Sequence, residues 1–441
     1  MLELFTTDAM REIFSDRMRI QRMLDFEAAL ARAEASVGVI PRDAAHAIVR
    51  CCRAEDFDLE KIAAAARDAG NLAIPLIAQL TERVSRAHPG ARGFVHWGAT
   101  SQDAIDSGLV LQLRDALALI EKDSARLADA VARQADAHRA TLIAGRTWLQ
   151  QALPITLGLK LATTLSALDR HRARLAALRG RMLMLQFGGA AGTLASLGPN
   201  GIAVESALAA ELELAVSVLP WHTQRDNLCE AATVLGLLVA TLGKLARDLS
   251  LLAQTEVGEA FEPAKKGRGG SSTMPQKRNP VGAAIALAAA VRVPGLVATM
   301  LSAAVQEHER GLGNWPAEWE TLPQIAMLTA GSLDAMHDAI DGLEIDAARM
   351  RANLEQSQGQ ILAEAAQMAL APALGRDVAH DLVANASRRA AAERRHLRDV
   401  LGEDARVTAI LDRDALARLF EPQSYLGVAN AFIERALARR R

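Results

Sequence analysis

Apolar side chains recur at helical spacing along most of this chain. Leu109, Leu113 and Leu117 follow the rhythm of one buried helix face, and the pattern continues without Pro or Gly as far as Gly145. Residues 226–260 form a second long stretch without Pro, about 50 Å long if helical throughout at a rise of about 1.5 Å per residue. Helices of this length predict an extended helical bundle.

Breaks in the pattern divide the chain into three zones. The first zone holds short helices with breaks at Gly38 to Pro41, at Gly70 and at Pro89 to Gly90, and the second zone holds the long helices. In the third zone the helices shorten again, with stops near Gly375 and Gly402. We therefore predict three helical domains, residues 1–107, 108–346 and 347–441.

Composition favours the all-α class. Half of the residues are apolar, yet only 3% are aromatic and a single one is Tyr. Ala and Leu, which are strong helix formers, supply most of the apolar half in place of the β-branched and aromatic residues that strands favour. The sequence alone therefore predicts an all-α protein.

Charge and cysteine content narrow the class of protein further. The 50 basic and 52 acidic side chains leave a formal net charge of −2, so the basic excess typical of nucleic-acid-binding proteins is missing. Cys51, Cys52 and Cys229 have no metal-ligand spacing, which is typical of free thiols in a reducing compartment. The first residues lack the basic-then-apolar pattern of a signal peptide, and we expect a cytoplasmic protein.

The most apolar stretch of the chain is residues 281–305. It is rich in Ala and is interrupted by Arg292 and Pro294. We interpret it as a helix packed among other helices rather than a membrane span. Its Ala-rich part, residues 282–290, would let helices approach closely, as at the centre of an oligomer. We expect neither a membrane nor a nucleic acid as partner.

Five polar or glycine-rich islands interrupt the helical pattern. Binding and catalytic residues concentrate in such connecting segments, so we expect the functional residues there. The islands are HWGATSQD at 96–103, GRTWLQQ at 145–151, WHTQRD at 221–226, GRGGSSTMPQKRNP at 267–280 and QEHERGLGNWPAEW at 306–319.

The longest glycine-rich island has the chemistry of an anion-binding loop. Gly269 and Gly270 allow backbone conformations in which consecutive N–H groups point at one anion. Five basic residues and no acidic one lie between Lys265 and Arg278. The phosphate-loop pattern G-x-x-x-x-G-K-[ST] does not occur in it. The island predicts a carboxylate-bearing ligand, and the alternative is a mobile surface loop.

Residues 270–280, GSSTMPQKRNP, resemble the G-S-S-x-M-P-x-K-x-N signature of the fumarase/aspartase superfamily. Two more islands resemble its substrate-binding segments in the same order, TSQD at 100–103 and GRTWLQ at 145–150. The resemblance spans the whole chain. It implies an all-α fold whose central helices form a twenty-helix core in a homotetramer, with each active site shared between subunits.

The resemblance also implies roles for individual residues. The second Ser of the signature is Ser272, which would transfer the proton at the carbon α to a substrate carboxylate. Lys277 and Asn279 would stabilise the carbanion that results, and no metal or organic cofactor is expected. The other predicted substrate contacts are island residues: His96, Thr100, Ser101, Thr147, Trp148, Gln150, His222, Arg225, Ser271, Met274, Arg278 and His308.

One island departs from the pattern of the superfamily. Its lyases that release an amine or water generally have His where this chain has Trp148, because such leaving groups need a proton. A carboxylate leaving group, with a conjugate-acid pKa of about 4, needs none. Trp148 therefore favours a bond between a carboxylate oxygen and carbon, as in a lactone. The alternative is that Trp148 is a core residue of a divergent lyase.

The five islands also resemble those of the carboxymuconate cycloisomerases, a branch of the superfamily. That resemblance implies an intramolecular reaction in which one carboxylate of a small tricarboxylate adds to a conjugated double bond. Ser272 would then protonate the α-carbanion, since nucleophile and electrophile lie in one molecule. It also implies a role in protocatechuate degradation.

Two interpretations stay open for the basic residues of the islands. Each of the three island histidines either contacts substrate or is a hydrogen-bonded structural residue. For Arg225, a substrate carboxylate competes with an ion pair to Asp226 or Glu230.

Two rival functions belong to other classes. An adenylosuccinate-lyase-like C–N lyase requires His at position 148 and an Arg near 319 for a nucleotide phosphate, but both positions are Trp. A non-catalytic structural descendant would have no need of Ser272, Lys277 and Asn279 together.

Overall fold

A computed structural model describes residues 2–264, 267, 269–270 and 273–440. The α-helices in this part of the chain are Asp8–Ile13 (α1), Asp16–Val37 (α2), Arg42–Cys51 (α3), Leu59–Ala69 (α4), Ala73–Ala87 (α5), Ser101–Ala137 (α6), Leu157–Met182 (α7), Gly201–Leu212 (α8), Asp226–Leu252 (α9), Val281–Ala303 (α10), Asn314–Asp341 (α11), Ala347–Glu355 (α12), Ala363–Leu374 (α13), Arg376–Glu393 (α14), Leu397–Leu401 (α15), Ala405–Thr408 (α16), Arg413–Leu419 (α17) and Ala429–Ala438 (α18). The strands are Leu142–Thr147 (β1), Gln150–Thr156 (β2), Ala260–Phe261 (β3) and Glu344–Ile345 (β4).

The predicted all-α class is confirmed, because the strands in the described part of the chain form only two small antiparallel ladders, β1 with β2 and β3 with β4. The glycine breaks are confirmed as well. Gly38 and Gly70 end α2 and α4 in the left-handed conformation, and Gly375 follows the last residue of α13.

The chain forms two compact units, each assembled from three segments. Unit 1 comprises Met1–Ala125, Arg170–Gly243 and Ile285–Asp334, and unit 2 comprises Arg126–Asp169, Lys244–Ala284 and Ala335–Arg441. The division into three domains stays a prediction, and α6 runs through its first boundary without a break.

Each unit has its own apolar core. In unit 1, α2, α3 and α5 pack together through side chains such as Leu24, Ile48 and Leu76. In unit 2, α13, α14 and α15 pack around side chains such as Leu370 and Leu382, and the core extends to β1. These core side chains are buried, and their removal from water stabilises each unit.

Two helices end earlier than their apolar patterns predict. Helix α6 ends at Ala137 rather than near Gly145, and α9 ends at Leu252 rather than at residue 260. In both cases the remaining residues lead into a short strand, β1 or β3. A few apolar residues at a helix end cannot be told from a half-buried strand by their spacing, which explains the error.

A glycine allows a close approach between α9 and α10. A Cβ atom added to Gly243 would lie 2.5 Å from the Cβ of Ala290, closer than side-chain atoms pack. Ala290, at the end of the Ala-rich stretch of α10, therefore packs against α9 within unit 1, and a place for this stretch at the centre of an oligomer stays a prediction.

Helices α9 and α10 are both long and apolar enough to cross a membrane by length and composition alone. In the most apolar 18-residue window, 61% of α9 but only 28% of α10 is buried within the chain. Val291 and Leu301 of α10 are 81% and 53% exposed. One face of α10 is therefore an uncovered apolar surface.

Candidate active site

The two units divide the five islands between them. Unit 1 contains residues 96–103, 221–226 and 306–319, and unit 2 contains residues 145–151 and 267–280. Each unit thus carries its own set of predicted site residues, and the two sets are described separately.

The first island turns sharply before α6 begins. His96 and Gly98 have left-handed backbone angles, φ 58° and 72°, and α6 starts at Ser101. The backbone N–H of Thr100 donates to Asp103 Oδ2 at 3.0 Å, so a side chain of the first helical turn satisfies an amide at the helix start. The half-buried side chains of Thr100 and Ser101 therefore lie at the N-terminus of a 37-residue helix, where anions are stabilised.

Asp103 organises the backbone around this helix start. The amides of Gly188 and Gly189 both donate to its carboxylate at 3.0 Å, and Gln186 donates at 3.3 Å. Burial raises the pKa of Asp103 to about 6, against these N–H donors, which lower it. At neutral pH the group is therefore a carboxylate that accepts from several donors.

Arg225 is held in a buried ion triad. Its guanidinium donates to Asp106 at 2.6 and 3.1 Å and to Glu318 at 2.6 and 3.1 Å. None of the three side chains is more than 1% exposed. The structure contradicts the prediction that Arg225 binds substrate, because its donors already face two carboxylates. The competing ion pair to Asp226 or Glu230 is also wrong, since the partners lie elsewhere in the chain.

Three further side chains donate hydrogen bonds to the carboxylates of the triad. Gln102 Nε2 and Trp315 Nε1 each donate to Asp106 at 3.0 Å, and Gln306 Nε2 donates to Glu318 at 3.0 Å. A buried carboxylate is costly unless its oxygens accept hydrogen bonds, and here both carboxylates have several donors. The triad and its donors therefore form one hydrogen-bonded framework.

The same framework joins the three islands of unit 1. Gln102 also donates to the carbonyl oxygen of His222 at 2.7 Å and accepts from Arg310 at 2.9 Å. Arg310 donates in turn to the carbonyl oxygen of Ala190 at 3.2 Å. His308 lies two residues before Arg310 with a left-handed φ of 48°. The structure thus brings together the islands that carry His96, His222 and His308.

Two of these histidines have opposite electrostatic surroundings. His96 Nδ1 lies 2.7 Å from Glu27 Oε1. Burial works to lower the pKa of His96, but Glu27, with Asp103, outweighs it and raises the pKa above 6.5. Burial and then Arg310 lower the pKa of His222. His96 therefore favours the cationic form and His222 the neutral form.

In unit 2, the island at 145–151 is a β-hairpin. Strands β1 and β2 pair at Thr147 and Gln150, and the two residues between them form the turn. Trp148 and Leu149 have left-handed φ values of 53° and 65° and are 98% and 74% exposed. Turns of this kind usually require Asn or Gly, so the tip is strained. The alternative that Trp148 is a core residue is wrong.

A buried carboxylate anchors this hairpin. Arg146 donates to Glu259 through two nitrogens at 2.8 and 2.7 Å, and Asn353 donates to the same carboxylate at 2.7 Å. Glu259 is fully buried and directly precedes β3. Gln151 also donates to the carbonyl oxygen of Asn353 at 3.0 Å. These bonds connect the hairpin to the segment that leads into the signature loop.

Ser271 and Ser272, on which two predictions fall, lie outside the described residues. The base of their loop is closed by a hydrogen bond of 2.8 Å from the amide of Asn279 to the carbonyl oxygen of Gly269. Gly269 has φ 70°, and an added Cβ would lie 2.6 Å from the Asn279 oxygen. Only glycine fits this position without a shift of the backbone.

The loop lines an open cavity of about 330 Å³ within unit 2. Lys277 and Asn279 are among the lining residues, and Met274 is 42% exposed. A cavity of this size can hold a small organic anion.

Arg278, predicted to bind substrate, is engaged in this structure. Its Nη2 donates to the carbonyl oxygen of Glu262 and pairs with Glu344, both at 2.8 Å, while its guanidinium carbon lies 5.2 Å from the centre of the Phe261 ring. The Glu262 carboxylate accepts from the first amides of α10 at 2.9 and 2.7 Å. Arg278 thus helps to fix the loop, and its contact with substrate stays a prediction.

Sequence reasoning missed the buried acids of the site. Asp103 and Asp106 lie three residues apart at the start of α6, and Glu318 lies inside an island. A buried Arg requires carboxylate partners, so acids at the island edges were the available signal. Glu27 and Glu259 carried no such signal, because each meets its partner only through the tertiary fold. Among the described residues, no three His, Cys, Asp or Glu side chains are grouped so that they could hold a metal ion.

Comparison with protein families gives two matches. Residues 4–295 match the lyase family, and residues 359–436 match the family described as the adenylosuccinate lyase C-terminus. The first match covers more than half of the chain.

Individual relatives cover almost the whole chain. It is 58% identical over 434 residues to 3-carboxy-cis,cis-muconate cycloisomerase of Pseudomonas aeruginosa, covering 98% of this chain and 95% of that protein. It is 56% identical to the enzyme of the same name from Pseudomonas putida, covering 93% of this chain and 98% of that one. The crystal structure of 3-carboxy-cis,cis-muconate lactonizing enzyme from P. putida superposes with a TM-score of 0.95 at 55% identity, over 99% of this chain and 98% of that chain. The chain therefore belongs to the lyase family of the fumarase/aspartase superfamily.

Proposed function

We propose that this protein is a 3-carboxy-cis,cis-muconate cycloisomerase. The observation that carries the proposal is the 58% identity, over 98% of the chain, to a relative of that name. A substrate of this kind carries three carboxylates and a conjugated diene. The reaction joins one carboxylate oxygen to a diene carbon and places a proton on the carbon α to another carboxylate. This proton replaces the one that the attacking carboxyl group has lost to solvent, so substrate and product are isomers when both are counted as free acids.

The roles of the loop residues follow from this chemistry. Addition of the carboxylate leaves a carbanion next to a second carboxylate, and Ser272 delivers the proton that neutralises it. Lys277 and Asn279 stabilise the negative charge in the transition state through fixed donors. Both line the cavity of unit 2, which supports their assignment.

Substrate carboxylates are the ligands that we assign to the helix start in unit 1. Thr100 and Ser101 present hydroxyl groups at the N-terminus of α6, where the helix dipole favours an anion. Thr147 and Gln150, at the base of the exposed hairpin tip, are the substrate contacts that we assign to unit 2. Trp148 replaces a general acid, which a carboxylate leaving group does not need.

We also infer that the protein is a cytoplasmic homotetramer with active sites shared between subunits. The uncovered apolar face of α10 supports this, because an exposed apolar surface of that length is stabilised when a second copy covers it. The exposed Trp148 is available to a neighbouring subunit. The three cysteines are free and buried, in keeping with a reducing compartment.

The adenylosuccinate-lyase alternative gains nothing from the second family match. That match covers residues 359–436, which contain none of the predicted site residues. Positions 148 and 319 are both Trp, whereas an adenylosuccinate lyase requires His at the first and Arg near the second.

An ultraviolet assay with 3-carboxy-cis,cis-muconate tests the proposal by following loss of the diene absorbance. We expect rapid turnover by the wild type and a loss of at least about a hundredfold in kcat for Ser272→Ala, since acid–base groups contribute about 10²–10⁴-fold. Ser206→Ala is the matched control, because Ser206 is exposed and its hydroxyl donates to Ile202 of its own helix. An inert wild type would contradict the function, whereas an active Ser272→Ala would remove only the role of Ser272.

Sedimentation of Val291→Glu tests the tetramer. A charge on the exposed face of α10 should disfavour burial of that face, so smaller species and lower activity are expected. Val378→Glu is the control, because Val378 is 47% exposed on α14. A Val291→Glu protein that sediments like the wild type would contradict the proposed interface.

A further inference from the structure

The strongest unassigned feature is the contact between a buried carboxylate and an island histidine in unit 1. Glu27 lies on α2, is 1% exposed, and its Oε1 is 2.7 Å from His96 Nδ1. The two residues are 69 positions apart in sequence, so only the tertiary fold brings them together. An inference about this contact rests on the proposed function, since His96 belongs to the proposed substrate-binding segment.

The contact fixes the orientation of the imidazole ring. His96 has a left-handed φ of 58°, a conformation that costs a non-glycine residue free energy, and the bond to Glu27 helps to hold it. With Nδ1 bound to Glu27, the other nitrogen is left for a ligand. Nε2 has no hydrogen-bond partner among the described residues, and 16% of the side chain is exposed.

The charges around His96 are acidic. Glu27 faces it from α2, and Asp103 faces it from α6. Two further buried groups, Glu34 and Cys52, interact electrostatically with Glu27. Burial, with Glu27 nearby, raises the pKa of Glu34 to about 9, so Glu34 is a neutral acid at pH 7. Of these acids, Glu27 is the one whose carboxylate oxygen lies within hydrogen-bonding distance of His96.

We propose that Glu27 is a positioning residue that keeps His96 as an imidazolium with Nε2 directed to a carboxylate of the substrate. A cation held in one orientation by a buried partner binds a carboxylate with a charge-assisted hydrogen bond. His222, whose surroundings disfavour the charged form, does not duplicate this charge. Glu27 acts only through His96 and does not touch the substrate.

The proposal predicts that substrate binding weakens as pH rises. The imidazolium fraction of His96 falls as pH rises through its pKa, so kcat/KM decreases on the alkaline side. Removing the charge of Glu27 lowers that pKa, and the decrease then begins at a lower pH. Loss of the imidazolium charge should mainly raise KM and leave kcat nearly unchanged, because the charge acts on a carboxylate that is bound both before and during the reaction.

The experiment compares Glu27→Gln with Glu34→Gln. Both positions are buried on the same helix, but Glu34 is neutral at pH 7, so its substitution leaves the charge near His96 unchanged. We expect Glu27→Gln to raise KM by at least about tenfold, as for loss of a charge-assisted bond, and to shift the alkaline limb of kcat/KM to lower pH. Glu34→Gln should follow the wild-type profile.

A double variant separates positioning from a structural role. If Glu27 acts through His96, His96→Gln combined with Glu27→Gln should lose no more kcat/KM than His96→Gln alone. Equal losses at all pH values with an unshifted limb, or additive losses in the double variant, would overturn the proposal.

A measurement without substrate distinguishes this proposal from the proposed function. The raised pKa of His96 means that its charge stabilises the fold below pH 6.5, and this contribution is lost as pH rises through the folded pKa. The melting temperature of Glu27→Gln should therefore depend less on pH over this window than that of the wild type, since both proteins retain Glu34, whose own raised pKa makes stability depend on pH. Indistinguishable pH dependence would overturn the pairing even in a protein that turns over no muconate, while an inert wild type alone would overturn only the function.

Discussion

The islands of both units contain arginine and tryptophan side chains, and one arginine and one tryptophan from each unit have opposite environments. In unit 1, Arg225 is fully buried between two carboxylates, and Trp315 is 5% exposed with its indole N–H bonded to Asp106. In unit 2, the Arg278 side chain is 43% exposed beside one carboxylate, and Trp148 is 98% exposed at a hairpin tip. The same residue types therefore occur in a buried framework and on an accessible surface.

The difference shows that a polar island is not by itself a ligand site. Where every nitrogen of a charged group already donates to a carboxylate, as at Arg225, the group holds segments together and cannot bind substrate without breaking those bonds. Where a side chain is exposed and its segment is anchored by other residues, as at Trp148, it is available to a ligand or a neighbouring subunit. Exposure and partner count distinguish the two roles, and residue type does not.

The largest expected effect is on the framework of unit 1. Arg225→Met leaves Asp106 and Glu318 buried without their cation, which should cost about 3–5 kcal/mol of stability. Thermal unfolding measures the loss. Arg181→Met is the matched control, because Arg181 and its partner Glu230 are both partly exposed, and its melting temperature should change little. Equal shifts for the two variants would contradict the distinction.

An intermediate loss of stability is expected on breaking the buried ion pair of unit 2, between Arg146 and Glu259. Glu259→Gln removes the charge that binds Arg146 and should cost about 2–3 kcal/mol, as for charge-assisted hydrogen bonds. Because the hairpin carries Thr147 and Trp148, kcat/KM should fall as well. Glu344→Gln, which removes the half-exposed partner of Arg278, provides the control and should leave the melting temperature nearly unchanged. A larger loss for Glu344→Gln would reverse the assignment of the anchor.

The smallest effect on stability is expected at the hairpin tip. Trp148→Ala should change the stability by no more than about 0.5 kcal/mol, since an exposed side chain loses little on truncation. Its kcat/KM should nevertheless fall by about tenfold or more if the tip contacts substrate. Val218→Ala, at a fully exposed apolar position in unit 1, is the control for both measurements. Unfolding at a much lower temperature would show that Trp148 is part of a packed structure.

Much of the fold could be predicted from the sequence because it is local. Helical spacing and Ala–Leu composition identified the long helices, and Gly38, Gly70 and Gly375 marked helix ends because glycine adopts the conformations that end helices. The hairpin could not be predicted in this way. Its turn residues are Trp and Leu, which ordinarily oppose the backbone angles that they adopt here.

The candidate site could likewise be predicted from the sequence only where it depends on local features. The islands and the signature were visible in the sequence, because glycines, hydroxyls and basic residues in one short segment already indicate anion chemistry. The pairing of Arg225 could not be deduced from the sequence, since its two partners lie 119 and 93 positions away, and the nearby acids Asp226 and Glu230 were the wrong ones. Opposite charges close in sequence need not meet, because helix geometry can direct them to different faces.

The sequence by itself determined the helical class, the positions of the islands and the chemistry of the signature loop, because these depend on local backbone preferences and residue type. Only the tertiary structure decided which charges are buried and paired and which remain accessible. Burial removes water from a charge and makes its partner decisive, so Glu27 gains its relation to His96, and Arg225 loses its availability to substrate, only when the chain has folded.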